Sequence, residues 1–212
     1  MKFKKVLKIL IIIFAVMLVI AMCFKIVMPV HKLKADKNVE IGTELQFCWD
    51  GGPFIFLSKD AALKWSGVNL IGLMNGLSGD YGKAGQITEQ FGIINVNCSN
   101  VFVISDPPMG FIYKISKSEF IIGVHSEWGE SKIEGRIKKI LNSSTLDDEI
   151  KKYSLEIKGP YILQYAGDSA ASNPCEKYEI ELINGEYIGS TFKYKIKDLV
   201  GTYVKFSLSI SK

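Results

Sequence analysis

Thr191-Phe192-Lys193-Tyr194-Lys195-Ile196-Lys197 alternates without a break, with Phe192, Tyr194 and Ile196 on one side and three lysines on the other. Side chains of an extended chain repeat every two residues, so this is a strand with one buried and one wetted face, the pattern of an antiparallel sheet. Working outward, Glu176–Ile183 sets Tyr178, Ile180 and Leu182 against Lys177, Glu179 and Glu181, and Tyr203–Ile210 closes the chain with Val204, Phe206, Leu208 and Ile210. Asn184-Gly185 predicts a type I′ hairpin turn into a strand over Glu186–Ile188.

Upstream, Tyr153–Lys158 and Tyr161–Tyr165 read as strands, followed by a polar surface loop over Ala166–Pro174. Gly92–Asn97, Val101–Ser105, Gly110–Ser116 and Phe120–Ser126 are short, rich in Ile, Val, Phe and Tyr, and separated by turn residues that include Asp106-Pro107-Pro108, which suggests a meander. Thr43–Trp49 and Pro53–Leu57 are strands connected by Gly51-Gly52. Three helices are predicted: Lys59–Trp65 with Ser58 as N-cap, Tyr81–Gln90 capped by Asp80, and the amphipathic Ser131–Leu141. Val68–Gly79 is apolar without a period and reads as an irregular packed segment. The fold class is α+β, a mainly antiparallel sheet with a few short helices.

A transmembrane helix is expected ahead of this domain. Residues 1–8 are basic, with Lys2, Lys4, Lys5 and Lys8, and Ile9–Phe24 is wholly apolar; with Lys25 reaching the headgroups the span extends to Val30. About 20 apolar residues cross a bilayer as a helix. A cleaved signal peptide wants small residues that Met22, Phe24 and Ile26 do not supply, and acylation at Cys23 wants a small residue where Met22 stands. A retained, single-pass signal anchor over residues 9–30 is therefore the reading, with a linker over 31–38 and the domain over 39–212. Four lysines on each flank leave orientation nearly balanced; the basic start and the α-amino group favour an N-terminus inside and an extracytoplasmic domain.

Residues 1–37 hold eight lysines and one acid, Asp36, out of chain totals of 26 basic and 22 acidic residues, leaving 18 basic and 21 acidic residues in the body. With Arg136 its sole arginine and no basic cluster, the body does not read as a nucleic-acid binder. Cys48, Cys98 and Cys175 have neither metal-knuckle nor C-x-x-C spacing and read as buried thiols, with one disulfide and a spare thiol as the alternative, and no metal or other cofactor is implied. No Walker loop, nucleophile elbow or His-Glu metal motif is present. The best acid/base grouping is His125 with Glu127 and Glu130; His125 and Glu127 project alike from an extended segment, with Trp128 beside them, and a solvated surface pair is the plainer account of the two.

The densest local signal is Trp49-Asp50-Gly51-Gly52-Pro53, an apolar strand, a short helix ending Trp65-Ser66-Gly67, then Asp80-Tyr81 with Ala84. Glycines permit positive φ and the indoles pack on a sheet, so these residues read first as architecture. In combination they resemble the immunity protein 21 family of bacterial polymorphic toxin systems. The strands near Val101–Ser105 and Ile121–Trp128 and the Asn-Gly-Glu-Tyr stretch at 184–187 extend the similarity through much of residues 43–210. Gly82 and Lys83 stand where that family's pattern carries an acidic residue and an arginine, and a membrane anchor is not one of its usual features. The resemblance implies a non-enzymatic protein that binds and neutralises a cognate toxin. The alternative expectation is an envelope binding module for a small molecule, lipid or glycan, with Trp49, Trp65 and Trp128 as an exposed aromatic platform.

Overall fold

The computed structural model describes residues 35–47, 51–68, 79–105, 109–125, 135–146, 151–168 and 176–209. The anticipated span over residues 9–30 lies outside them, as do Trp49, Asp50, Glu127, Trp128, Glu130, Cys48 and Cys175; among the described residues no helix is long and apolar enough to cross a membrane.

Two mainly antiparallel sheets face each other. Sheet A runs β1 (Lys37–Asn38), β11 (Tyr178–Ile180), β10 (Tyr161–Tyr165), β3 (Phe54–Ser58), β5 (Ser99–Ile104), β4 (Phe91–Val96) in spatial order, and only the β1–β11 pair is parallel. Sheet B runs β2 (Glu44–Phe47), β6 (Met109–Lys114), β7 (Glu119–His125), β13 (Leu199–Leu208), β12 (Gly185–Ile196), with both β8 (Thr145–Leu146) and β9 (Lys152–Ile157) pairing β12. The interior is aromatic: Phe56, Phe102 and Phe91 of sheet A meet Phe120, Phe206 and Tyr187 of sheet B. Phe102 stands edge-on to Phe206 at 5.1 Å, a favoured aromatic geometry.

Each sheet also has a covered outer face. Helices α1 (Lys59–Lys64) and α2 (Gly79–Gly85) lie on sheet A, where Ile55, Leu57, Val101, Val103 and Ile162 join Ala61, Ala62, Trp65 and Ala84 in a second core. Helix α3 (Arg136–Ser143) lies on sheet B over Phe111, Ile121, Tyr194 and Tyr203. Covering both faces explains β12: Tyr187, Gly189 and Thr191 are buried toward the sandwich interior, whereas Tyr194 is buried beneath α3.

Strand positions match the sequence reading closely, but several connections do not. The predicted meander is two hairpins in different sheets, β4–β5 in sheet A and β6–β7 in sheet B. Asn184-Gly185 is not a hairpin turn, because β11 belongs to sheet A and β12 to sheet B. The segments predicted over 186–188 and 191–197 form one strand that ends at Ile196. Two-residue loops occur instead at Asn97-Cys98, with φ of 51° and 61°, and at Lys197-Asp198. Cys98 at that tip is exposed rather than buried. Gly51-Gly52 likewise lies between strands of opposite sheets. Helix α3 begins at Gly135 in the left-handed region instead of running through it. Residues 37–38, expected as linker, belong to sheet A as β1, which pairs with β11, and just before them Lys177 N–H donates to the Asp36 carboxylate at 2.9 Å.

Candidate functional site

Seven of the eight motif residues within the described segments converge on one corner of sheet A; the eighth, Gly51, has φ +139° and a Cβ on it would meet no described atom within 4 Å. Ser58 caps α1 by accepting from Ala61 N–H at 3.2 Å, and the helix ends at Trp65, whose N–H donates to the Ala62 carbonyl. The Trp65 indole is 2 % exposed and donates from Nε1 to the Ala166 carbonyl at 2.7 Å. Ala166 N–H in turn donates to the Pro53 carbonyl at 2.9 Å, so the turn after β10 is clasped by the strand entrance and the helix exit together.

The glycines here are required by close approach. Gly67 has φ +62°, and a Cβ on it would lie 2.5 Å from the Gly167 carbonyl and 2.8 Å from the Asp168 backbone. A Cβ on Gly52 would lie 2.8 Å from Tyr165 Oη and 3.0 Å from Tyr81 Oη. Tyr81 meets Tyr165 edge-on, with ring centroids 6.3 Å apart, and Ala84 is fully buried against the same core.

Asp80 does not cap its own helix as expected. It lies in the first turn of α2, and its Oδ2 accepts from Ser66 N–H at 3.3 Å and from Ser66 Oγ at 3.1 Å, which ties α2 to the turn leaving α1. Lys83 Nζ approaches the other oxygen at 3.4 Å. Helix α2 stops at Gly85, short of the predicted Gln90. Tyr165, Ala166, Gly167 and Asp168, the residues around which the corner is built, were read as a strand end and a surface loop; Ala166 and Asp168 are buried. No local period marks them, because their burial comes from contacts about a hundred residues away in the chain.

His125 is placed differently from the solvated pair expected. It ends β7 on the face beneath α3, is 2 % exposed, and stacks on Phe111 with centroids 4.9 Å apart. Its Nδ1 is hydrogen-bonded with Tyr194 Oη, while its Nε2 is buried with no hydrogen-bond partner among the described residues. Burial, and then the nearby Arg136 guanidinium, lower its pKa to about 4, so the ring is neutral at pH 7. Burial pushes the Tyr194 phenol above its usual value. Arg136, 7 % exposed, grips the Glu44 carboxylate from Nη2 and from Nε, the latter at 3.3 Å. With its amide oriented to accept, Gln46 takes a further bond from the same guanidinium. Arg136 is buried in this polar group, Glu44 is half-buried and Gln46 exposed; the group joins α3 to β2, and Arg136 was marked in the sequence only by being the sole arginine.

Trp65 cannot join an exposed aromatic platform, since its ring is buried and its N–H is engaged; Trp49 and Trp128 lie outside the described residues. An open depression of about 290 Å³ between the sheets is lined by Glu89, Phe91, Lys151, Tyr153, Thr191 and Lys193 among others, with no indole or imidazole. Among the described residues no group of three or more His, Cys, Asp or Glu side chains could hold a metal ion. No protein-family model, curated protein or solved structure matches the chain.

Proposed function

We propose that this chain is an immunity protein that binds and neutralises a cognate bacterial toxin, anchored to the membrane by its N-terminal helix with the α+β domain on the extracytoplasmic side. The observation that supports this reading is the convergence of Gly52, Pro53, Trp65, Gly67, Asp80, Tyr81 and Ala84 on a single corner. Residues spread over more than thirty positions act there as one structural unit, which is how a family signature carried by architecture behaves. Neutralisation is by occlusion, and the contact surface lies away from the corner, whose indole and glycines are committed to internal contacts.

The test is co-expression with the toxin-like product of the adjacent reading frame, scored as colony-forming units with and without this chain. Rescue of growth supports the proposal, and equal killing in both arms rejects it. Protease protection in intact cells reports on which side of the membrane the domain lies.

A further inference from the structure

A sheet edge exposes backbone donors and acceptors that another strand can use, and soluble proteins blunt such edges with charge, proline or brevity. Three of the edges are blunted. β1 has two residues and an ion pair between Lys37 and Glu176 at 2.8 Å. At β2 the Gln46 carbonyl is taken by Tyr178 Oη at 2.9 Å, and Glu44 is held by Arg136. The other edge of sheet B is shared by the two-residue β8 and by β9, which carries the exposed charges Lys152 and Glu156.

The fourth edge is β4, Phe-Gly-Ile-Ile-Asn-Val, which has no charge and no proline and pairs only with β5 among the described residues. Its hydrogen-bonding parity follows from the hairpin. Val96 and Ser99 close the two-residue loop, and Ser105 N–H donates to the Gln90 carbonyl at 3.0 Å, so the even-numbered residues bond inward to β5. The N–H and C=O groups of Ile93 and Asn95 therefore point outward. Phe91 points outward too, but its carbonyl accepts from Tyr153 Oη at 3.4 Å. Ile93 and Ile94 are half-buried, one packed on the sandwich interior and the other on the helix-side core, so each face of the sheet ends in an incompletely covered isoleucine.

We propose that β4 is a dimerisation edge on which a second copy of this chain lays its own β4 antiparallel, with the two-fold axis at Ile94. That register exchanges backbone bonds between Ile93 of each copy and Asn95 of the other. It sets Ile94 against Ile94 in the closer, non-hydrogen-bonded position, and it stops short of the occupied Phe91 carbonyl. A strand without charge repels no symmetry mate, and the identical strand supplies apolar side chains to both incomplete faces. The two six-stranded sheets become one continuous sheet across the pair.

The experiment is sedimentation equilibrium of the full chain in density-matched detergent, comparing wild type with Ile93→Pro and Ile93→Lys. Of the backbone groups, proline at residue 93 removes only an outward N–H and spares the ladder to β5. The wild type is expected to dimerise and both variants to bind at least about tenfold more weakly, with unchanged circular dichroism. Association through the anchor would not respond to either substitution. If Ile93→Pro fails to fold, Asn95→Lys takes its place. A wild type that stays monomeric to about 1 mM, or folded variants that dimerise as well as wild type, overturns the proposal.

Discussion

Gly67→Ala and Gly135→Ala make a matched pair that separates backbone strain from crowding. Both glycines are left-handed, with φ of +62° and +65°. Placing Ala in that region costs roughly 1–2 kcal/mol at either site. The surroundings differ: among the described residues a Cβ on Gly135 meets nothing within 4 Å, whereas on Gly67 it lies 2.5 Å from the Gly167 carbonyl and 2.9 Å from that of Asp168. Side-chain carbons are essentially never closer than 3.0 Å to such an atom, so the Gly167 carbonyl must withdraw by at least 0.5 Å. That carbonyl already accepts from Val68 N–H at 2.9 Å, and its neighbour Ala166 holds the Trp65 indole, so the shift disturbs two hydrogen bonds as well as packing. Overpacking of this kind costs about 1–3 kcal/mol. Gly67→Ala should therefore be about 2 kcal/mol less stable than Gly135→Ala, which for a domain of this size separates their melting temperatures by roughly 4–8 °C. Urea and thermal unfolding of the two variants beside wild type measure the gap. Equal destabilisation would refute the claim that the corner is held by backbone-to-backbone contact.

Trp65→Phe keeps an aromatic ring but leaves the buried Ala166 carbonyl without its indole donor, and should lower unfolding stability by about 1–3 kcal/mol in urea titrations; an unchanged midpoint counts against the bond at 2.7 Å. His125, lowered from 6.5 to about 4 in the folded chain, takes up its proton more readily when unfolded. Its contribution to stability is thus fully present above pH 6.5 and is lost as pH falls from there toward 4, by up to about 3 kcal/mol. Urea midpoints at pH 7.5, 5.5 and 4.5 should show His125→Phe losing less stability on acidification than wild type, and parallel acid limbs would refute this.

Most strands were legible because alternation is a local property: Phe192, Tyr194 and Ile196 against three lysines needs no partner to be recognised. Which strand pairs with which was not. Asn184-Gly185 has the composition of a hairpin turn, yet the strands on either side enter different sheets, since Tyr178 and Ile180 complete sheet A while Tyr187 fills the opposite wall of the core. Lys197-Asp198 and Asn97-Cys98 close real hairpins without the expected glycine, because the strong apolar strands flanking them dictate the pairing. At the corner, Trp65 and Gly67 were visible as geometry-bearing residues, but their receptor at Ala166–Asp168 was hidden by its polar neighbours. His125 was picked out as a titratable group; that it faces a cation and a phenol beneath α3 depends on three separated strands and a helix start at Gly135.

Among the described strands the chain passes from one sheet to the other five times, and the last of them, β13, lies between β7 and β12 in the middle of sheet B. Such interleaving raises the contact order, which slows folding. It also gives synthesis a timetable. Until Leu199–Leu208 has left the ribosome, β7 and β12 have no strand to join them and the aromatic interior lacks Phe206. The domain can reach its native state only after Leu208 has emerged, so every earlier strand waits for β13 before its final packing is available.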